Sequence, residues 1–355
     1  MHISLVNLSL SFGGPPVVSG VDLSIASGEF LVLLGASGCG KTSLLRLIAG
    51  FERPQTGTIH LGERLVAGPD HFVPPEERNL GIVFQSYALW PHMTVAANVG
   101  FALKIRGLST EERNRRVTRA LEQVGLAEHA ARHAAQLSGG QRQRVALARC
   151  LAMAPPIVLL DEPLANLDPT LRASVQQEFR AMHRSLGSTF IYVTHDQTEA
   201  FALADRIAIL GAGQVLQVAP ARQIYDQPAT AEVASFLGAG RLVPIEVITS
   251  DGAGQVEVRL AGVTAQVRGA ALPPGPALLC LRRHDLVLTM PEAGGLVGIV
   301  TDGCFQGDRD IVTVQLAEAG PELEIAHRGP VPPVGTRVGV AVRDGWVLPS
   351  QGSAL

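Results

Sequence analysis

Charge is scarce in this chain. Asp, Glu, Lys and Arg make up 17% of its 355 residues, against roughly 25% in an ordinary soluble domain. The formal net charge is −3, so no basic excess points to general nucleic-acid binding. Cysteine is sparse too. Cys39, Cys150, Cys280 and Cys304 form no C-x-x-C pair and no regular framework, which argues for a reduced, cytoplasmic chain. The ten histidines show no paired spacing suited to a metal. No apolar run approaches the roughly 18 residues that a spanning helix needs. The opening Met1-His2-Ile3-Ser4-Leu5 lacks the basic start and apolar stretch of a signal peptide. A membrane role would have to come through a partner.

The length suggests two domains. Up to about residue 238, short apolar runs without alternation recur: Phe30–Leu34, Gly81–Phe84, Ile157–Leu160, Thr189–Thr194 and Arg206–Leu210. Such runs predict strands buried on both faces of a parallel sheet. Helical patterns lie between them at Lys41–Ala49, Thr110–Val124, Arg142–Met153, Pro169–Leu186 and Gln197–Ala204, so the order implies an α/β fold. Between Ser86 and Pro156 the strand signal disappears and an Ala-, Arg- and Glu-rich helical insertion is expected. After Gly238 short runs punctuated by Gly and Pro predict a separate all-β domain over residues 239–355, with the boundary near Ala239–Gly240.

Residues 35–43 read GASGCGKTS and match G-x-x-x-x-G-K-[ST]. Gly35, Gly38 and Gly40 permit a tight turn that brings N–H groups, including those of Ala36, Ser37, Cys39 and Ser43, against phosphate oxygens. Lys41 supplies a cation at the β- and γ-phosphates, and the Thr42 hydroxyl can ligate Mg²⁺. By composition alone the pattern arises in roughly one chain of this length per hundred, as a glycine-rich turn with an exposed lysine. Here it follows a buried strand and opens a helix, as phosphate binding requires. Nucleotide binding is therefore expected.

Ligands of open parallel sheets sit beyond the carboxyl ends of the strands. Gln85 follows one predicted strand, Asp161 and Glu162 a second, and His195 a third. Asp161 is placed to hold Mg²⁺ and Glu162 to orient or deprotonate a water, the needs of phosphoryl transfer. An Asp-Glu pair in isolation is more often a turn or a cap, and a lone His more often structural. Their shared placement behind strands argues for chemistry, provided the strands are neighbours.

Residues 137–144 read LSGGQRQR. Ser138 and Gln141 fit a capping box, the ordinary start of a helix. The two glycines between them also expose N–H groups suited to a second phosphate. With this segment the chain resembles the nucleotide-binding subunits of ABC transporters, whose signature is LSGGQ. The resemblance covers Ile3–Gly238 and extends into the tail. It implies a P-loop NTPase cassette with a helical subdomain and a C-terminal OB-like domain, binding ATP and Mg²⁺. It further implies a head-to-tail dimer in which Ser138, Gly139, Gly140 and Gln141 contact the γ-phosphate of ATP on the opposing copy. Phe12 resembles the aromatic that stacks on adenine, against a core Phe as the plain alternative. Gln85 matches the glutamine linking Mg²⁺ and water to the membrane-facing surface. Asp168, in Leu164–Asp168, matches the interfacial aspartate, and His195 the histidine at the γ-phosphate.

Within the family, one cassette without a membrane segment resembles an importer subunit. The tail agrees: Leu281–Leu286 (LRRHDL), and Leu296–Asp302 followed by Phe305-Gln306-Gly307, resemble the regulatory β domain of one bacterial importer branch. That branch implies two membrane permeases, a periplasmic or lipid-anchored substrate-binding protein acting indirectly, and the cytoplasmic face of the inner membrane. AGRLVP after Phe236-Leu237-Gly238 is closer to iron, polyamine and phosphonate members than to sugar importers. Ferric iron or a related small ion is the expected cargo, with polyamine, phosphonate or sugar as the alternatives. A soluble ATPase acting on nucleic acid or ribosomes is the alternative class.

Overall fold

The computed structural model describes residues 1–165, 169–238, 240–293, 295–317 and 320–350. It divides into two compact units, Met1–Ala221 and Arg222–Leu355. The division falls before the change in composition near Ala239, because two short helices precede that change and belong by contact with the second unit.

The first unit contains β1 (Ile3–Leu10), β2 (Val18–Ile25), β3 (Phe30–Gly35), α1 (Lys41–Ala49), β4 (Thr56–Leu61), β5 (Arg64–Ala67) and β6 (Leu80–Val83). The helices α2 (Val95–Ile105), α3 (Thr110–Gln123) and α4 (Gly139–Met153) follow. Then come β7 (Ile157–Asp161), α5 (Pro169–Leu186), β8 (Thr189–Thr194), α6 (Gln197–Leu203), β9 (Arg206–Gly211) and β10 (Gln214–Pro220). Six strands form one sheet in the order β10-β9-β3-β8-β7-β6. All its pairings are parallel except β10 with β9. Every residue of β3 and of β8 is buried, as expected of parallel strands covered on both faces. A second, antiparallel sheet, β2-β1-β4-β5, shares one core with α1 and the parallel sheet: Leu5, Leu31, Leu44, Ile59 and Ile191 all belong to it.

That second sheet was not expected. Its strands alternate, as in the inward Ile3, Leu5, Leu8 and Leu10 of β1, but polar residues and two register shifts break the period. The insertion is helical as predicted, with α2 and α3 both packed on α4.

The second unit begins with α7 (Ala221–Asp226), which spans the division, and α8 (Ala231–Phe236). Its strands are β11 (Gly240–Ser250), β12 (Gln255–Leu260), β13 (Val263–Gly269), β14 (Gly275–Arg282), β15 (Leu286–Thr289), β16 (Leu296–Phe305), β17 (Asp310–Leu316), β18 (Glu322–His327), β19 (Arg337–Val342) and β20 (Trp346–Pro349). β11-β12-β13-β20-β14 close into a barrel, and β15-β19-β16-β17-β18 form a sheet sharing its core. The all-β tail is therefore as predicted. LRRHDL has a structural job within it: Arg282 is buried, donates to the Tyr225 carbonyl at 3.0 Å and lies 4.3 Å from the Tyr225 ring centroid.

Candidate functional site

β6, β7, β8 and β3 are consecutive neighbours running in one direction. Their carboxyl ends therefore line up, and the condition set by the sequence is met. Gln85 lies just beyond β6, Asp161 ends β7 with Glu162 next to it, His195 follows β8, and the glycine loop follows β3.

The loop is tightly built. Gly40 has φ +102°, and a Cβ there would sit 2.4 Å from the Val17 carbonyl oxygen. Gly38 has φ +83° with nothing within 4 Å of its Cβ position. Gly35 is hemmed in by Leu210 and Cys39. Cys39 N donates to Ala36 O at 3.3 Å, closing the turn around Ser37. Lys41 curls over it and donates to the carbonyls of Gly35 and Ala36, each at 2.8 Å. α1 starts here with no side-chain cap on its first amides. The amides from Lys41 through Ser43 are thus at a positive helix end, suited to an anion.

Thr42 Oγ1 donates to Asp161 Oδ1 at 3.0 Å. Burial raises the Asp161 pKa, which the Thr42 donation opposes and the Glu162 charge reinforces. Two hard oxygen donors side by side fit Mg²⁺, which takes one or two protein ligands and completes its shell with phosphate and water. Among the described residues no group of three His, Cys, Asp or Glu could hold a metal alone.

Glu162 has φ +42°, an uncommon conformation for a residue with a side chain. Its N–H donates to Val193 O at 3.1 Å, which pins it to β8. Its Oε1 lies 3.3 Å from His195 Nδ1. The His195 side chain is 59% exposed and that of Glu162 23%, so both are reachable from the strand ends. Gln85 is exposed. Phe12 is 63% exposed just beyond β1, so it is not a core residue.

Ser138 and Gln141 form the expected capping box at the start of α4. The Gln141 amide also reaches His129 Nε2 at 3.0 Å. Gly139 has nothing within 4 Å of its Cβ position, and Gly140 is buried. This helix end starts an element of the helical insertion rather than following a strand of the parallel sheet. Asp168 lies outside the described residues.

Two further groups stand beside these residues without a motif to mark them. Arg149, on α4, donates to the carbonyls of Ala88 at 2.8 Å and Tyr87 at 3.1 Å. Those residues have φ of +45° and +64° in the turn after Gln85, so the helix begun by Ser138 clamps that turn. The second group lies under His195. Glu199 is buried and accepts from Tyr192 Oη at 2.8 Å and Thr194 Oγ1 at 2.7 Å. Burial raises its pKa, opposed by both hydroxyls. A signal for it existed: two hydroxyls inside a wholly buried strand require a partner.

The match to the family model described as ABC transporter spans residues 18–165. The Fe(3+) ions import ATP-binding protein FbpC of Brucella melitensis is 41% identical over 306 residues, 86% of this chain and 85% of the relative. The chain belongs to the ATP-binding proteins of ABC importers. A second such protein, the sn-glycerol-3-phosphate import ATP-binding protein UgpC 2 of Agrobacterium fabrum, is 49% identical over 291 residues, 82% of this chain and 75% of the relative. A solved ATP-binding cassette in a dimeric post-hydrolysis state, bound to ADP and Pi, is 31% identical with a TM-score of 0.55, covering 62% of this chain and 99% of its own. This ABC protein is accordingly an ATPase coupled to transport. Among its described residues no helix is long and apolar enough to cross a membrane.

Proposed function

We propose that this ABC protein powers import of ferric iron or a related small ion. It would act as a head-to-tail pair of copies on the cytoplasmic face of the inner membrane, driving two permease subunits. A periplasmic or lipid-anchored binding protein would deliver the cargo. The observation that carries the catalytic part is the convergence of Lys41, Thr42, Asp161, Glu162 and His195 at adjoining strand ends.

Lys41 and the amides of residues 35–43 hold the phosphates of ATP, and the exposed Phe12 ring stacks on adenine. Thr42 and Asp161 would hold Mg²⁺, with Gln85 linking the metal to the helical insertion. When bound, Mg²⁺ neutralises charge on the β- and γ-phosphates. Glu162 orients the attacking water and takes its proton, and His195 contacts the γ-phosphate. Ser138, Gly139, Gly140 and Gln141 serve the nucleotide of the other copy, with Asp168 at the interface. Each copy alone would bind ATP and hydrolyse it poorly. Closure of the pair would move the Ser86–Val99 region, where the permease loops are received, and hydrolysis would reopen it.

The cargo rests on the relatives, because it never enters this subunit. Fe(3+) import is named for a relative aligned over 85% of its length. The higher identity, 49%, to an sn-glycerol-3-phosphate import protein supports a second reading, in which the cargo is glycerol 3-phosphate. The test is affinity purification of the tagged chain from its own membranes, followed by ATP-dependent uptake assays with labelled ferric ion and with glycerol 3-phosphate. Two permease subunits and ferric uptake are expected. Glycerol 3-phosphate uptake would transfer the assignment to the second reading, and recovery of ribosomes or DNA without permeases would overturn import.

A further inference from the structure

The residues on either side of His195 are both tied to one partly buried assembly of hydrogen bonds and ion pairs. Thr194 Oγ1 donates to Glu199 Oε2 at 2.7 Å and accepts from Asp196 N at 3.0 Å. Asp196 Oδ1 in turn caps α6, accepting from Thr198 N at 2.7 Å and Glu199 N at 3.2 Å. Asp196 Oδ2 lies 3.1 Å from Arg172 Nη1, and Glu199 Oε1 lies 3.8 Å from Arg172 Nε. Tyr192 Oη, from within β8, completes the set on Glu199 at 2.8 Å. The Glu199 side chain is 5% exposed. Glu162 and His195 line a cavity of about 40 Å³ together with Arg172, Thr194, Asp196 and Glu199.

The consequence is positional. Backbone and side chain are held on both flanks of His195, while the imidazole itself projects outward with Glu162 as its near neighbour. The assembly also joins three elements. Glu199 is on α6, Tyr192 and Thr194 are on β8, and Arg172 is in the first turn of α5. Arg172 therefore ties the start of α5, which follows Leu164–Asp168, to the strand that aims the histidine. Burying a carboxyl is tolerated only with hydrogen bonds or a counter-ion, and Glu199 has the Tyr192 and Thr194 hydroxyls for the first and Arg172 for the second.

We propose that Glu199 is a positioning residue for ATP hydrolysis, acting through His195 by linking β8 and α6 to Arg172 on α5. It rests on the reading of His195 as the γ-phosphate contact. The conservative Glu199→Gln keeps an oxygen for both hydroxyls but loses the charge facing Arg172. In the full-length chain it should lower kcat about tenfold, leave KM for ATP within about twofold, and leave the melting temperature close to that of the parent. Tyr192→Phe, which removes one donor, should lower kcat less.

The deciding measurement is the cycle with His195→Ala. If Glu199 works through His195, Glu199→Gln lowers kcat little further once the imidazole is gone. Effects that multiply independently would overturn the proposal, as would normal kcat in Glu199→Gln. A His195→Ala protein with parental kcat would instead sink the reading of His195, whatever Glu199→Gln does. Should Glu199→Gln fail to fold, Arg172→Lys combined with His195→Ala supplies the same cycle.

Discussion

His195 Nδ1 and Glu162 Oε1 face each other at 3.3 Å across the neighbouring strands β8 and β7. The contact couples a base candidate to an imidazole without burying either. Glu162→Gln should lower ATP turnover by about 10²–10⁴-fold, the range for losing a general base, while ATP affinity is retained. Steady-state turnover and equilibrium binding of labelled ATP read the two separately. Normal turnover in this variant would move the base elsewhere.

The glycine loop gives a stability prediction. In Gly40→Ala the new methyl would sit 2.4 Å from the Val17 carbonyl oxygen at φ +102°. Strained backbone of this kind costs about 1–3 kcal/mol, so both the melting temperature and ATP affinity should fall. Lys41→Ala behaves differently: it removes a cation held by two loop carbonyls and the Cys39 sulfur rather than straining the backbone, so ATP affinity should fall at least tenfold with little change in melting temperature. Thermal unfolding with and without nucleotide separates the two behaviours.

Gly139 tests whether the helix end of α4 serves another copy. Its Cβ position is open within the chain, and Ala is the better helix former. Gly139→Ala should therefore leave stability and ATP binding by the single chain unchanged. If a second copy's γ-phosphate approaches this backbone, ATPase activity should nevertheless fall about tenfold or more. Full activity would remove the need for close approach at this glycine.

Burial raises the Asp161 pKa, with the Thr42 hydroxyl opposing. The folded protein therefore protonates Asp161 at a higher pH than an ordinary aspartate, and a neutral carboxyl is a poor ligand for Mg²⁺. On acidification, Mg²⁺-dependent ATP binding should weaken through that raised value, while binding in chelator stays flat. The stability sign is opposite to that of a salt-bridged carboxylate. The folded state holds this proton more tightly, so stability falls as pH rises from the unfolded-state pKa through the folded one. Asp161→Asn should then raise the melting temperature at neutral pH and not at pH below the ordinary aspartate range.

Local chemistry made much of the cassette legible. GASGCGKTS behind FLVLL declares a phosphate loop because the turn, the cation and the helix end are all within nine residues. Buried runs such as Thr189–Thr194 declare parallel strands because covering both faces removes alternation. LSGGQ declares a capped helix start by its capping box alone, and a family by its resemblance.

What the chain order does not contain is which strands are neighbours. Gln85, Asp161, Glu162 and His195 span more than a hundred residues, and only the order β3-β8-β7-β6 sets their strand ends side by side. The same holds for Glu199 and Arg172, which look like ordinary charged helix residues until β8 places two buried hydroxyls against one of them. β1 and β2 escaped notice because their bulges break the period that marks an isolated strand. Residue type and spacing determined which groups could bind and hydrolyse a nucleotide. Tertiary structure decided which of them meet, because burial and hydrogen-bond satisfaction depend on partners remote in sequence.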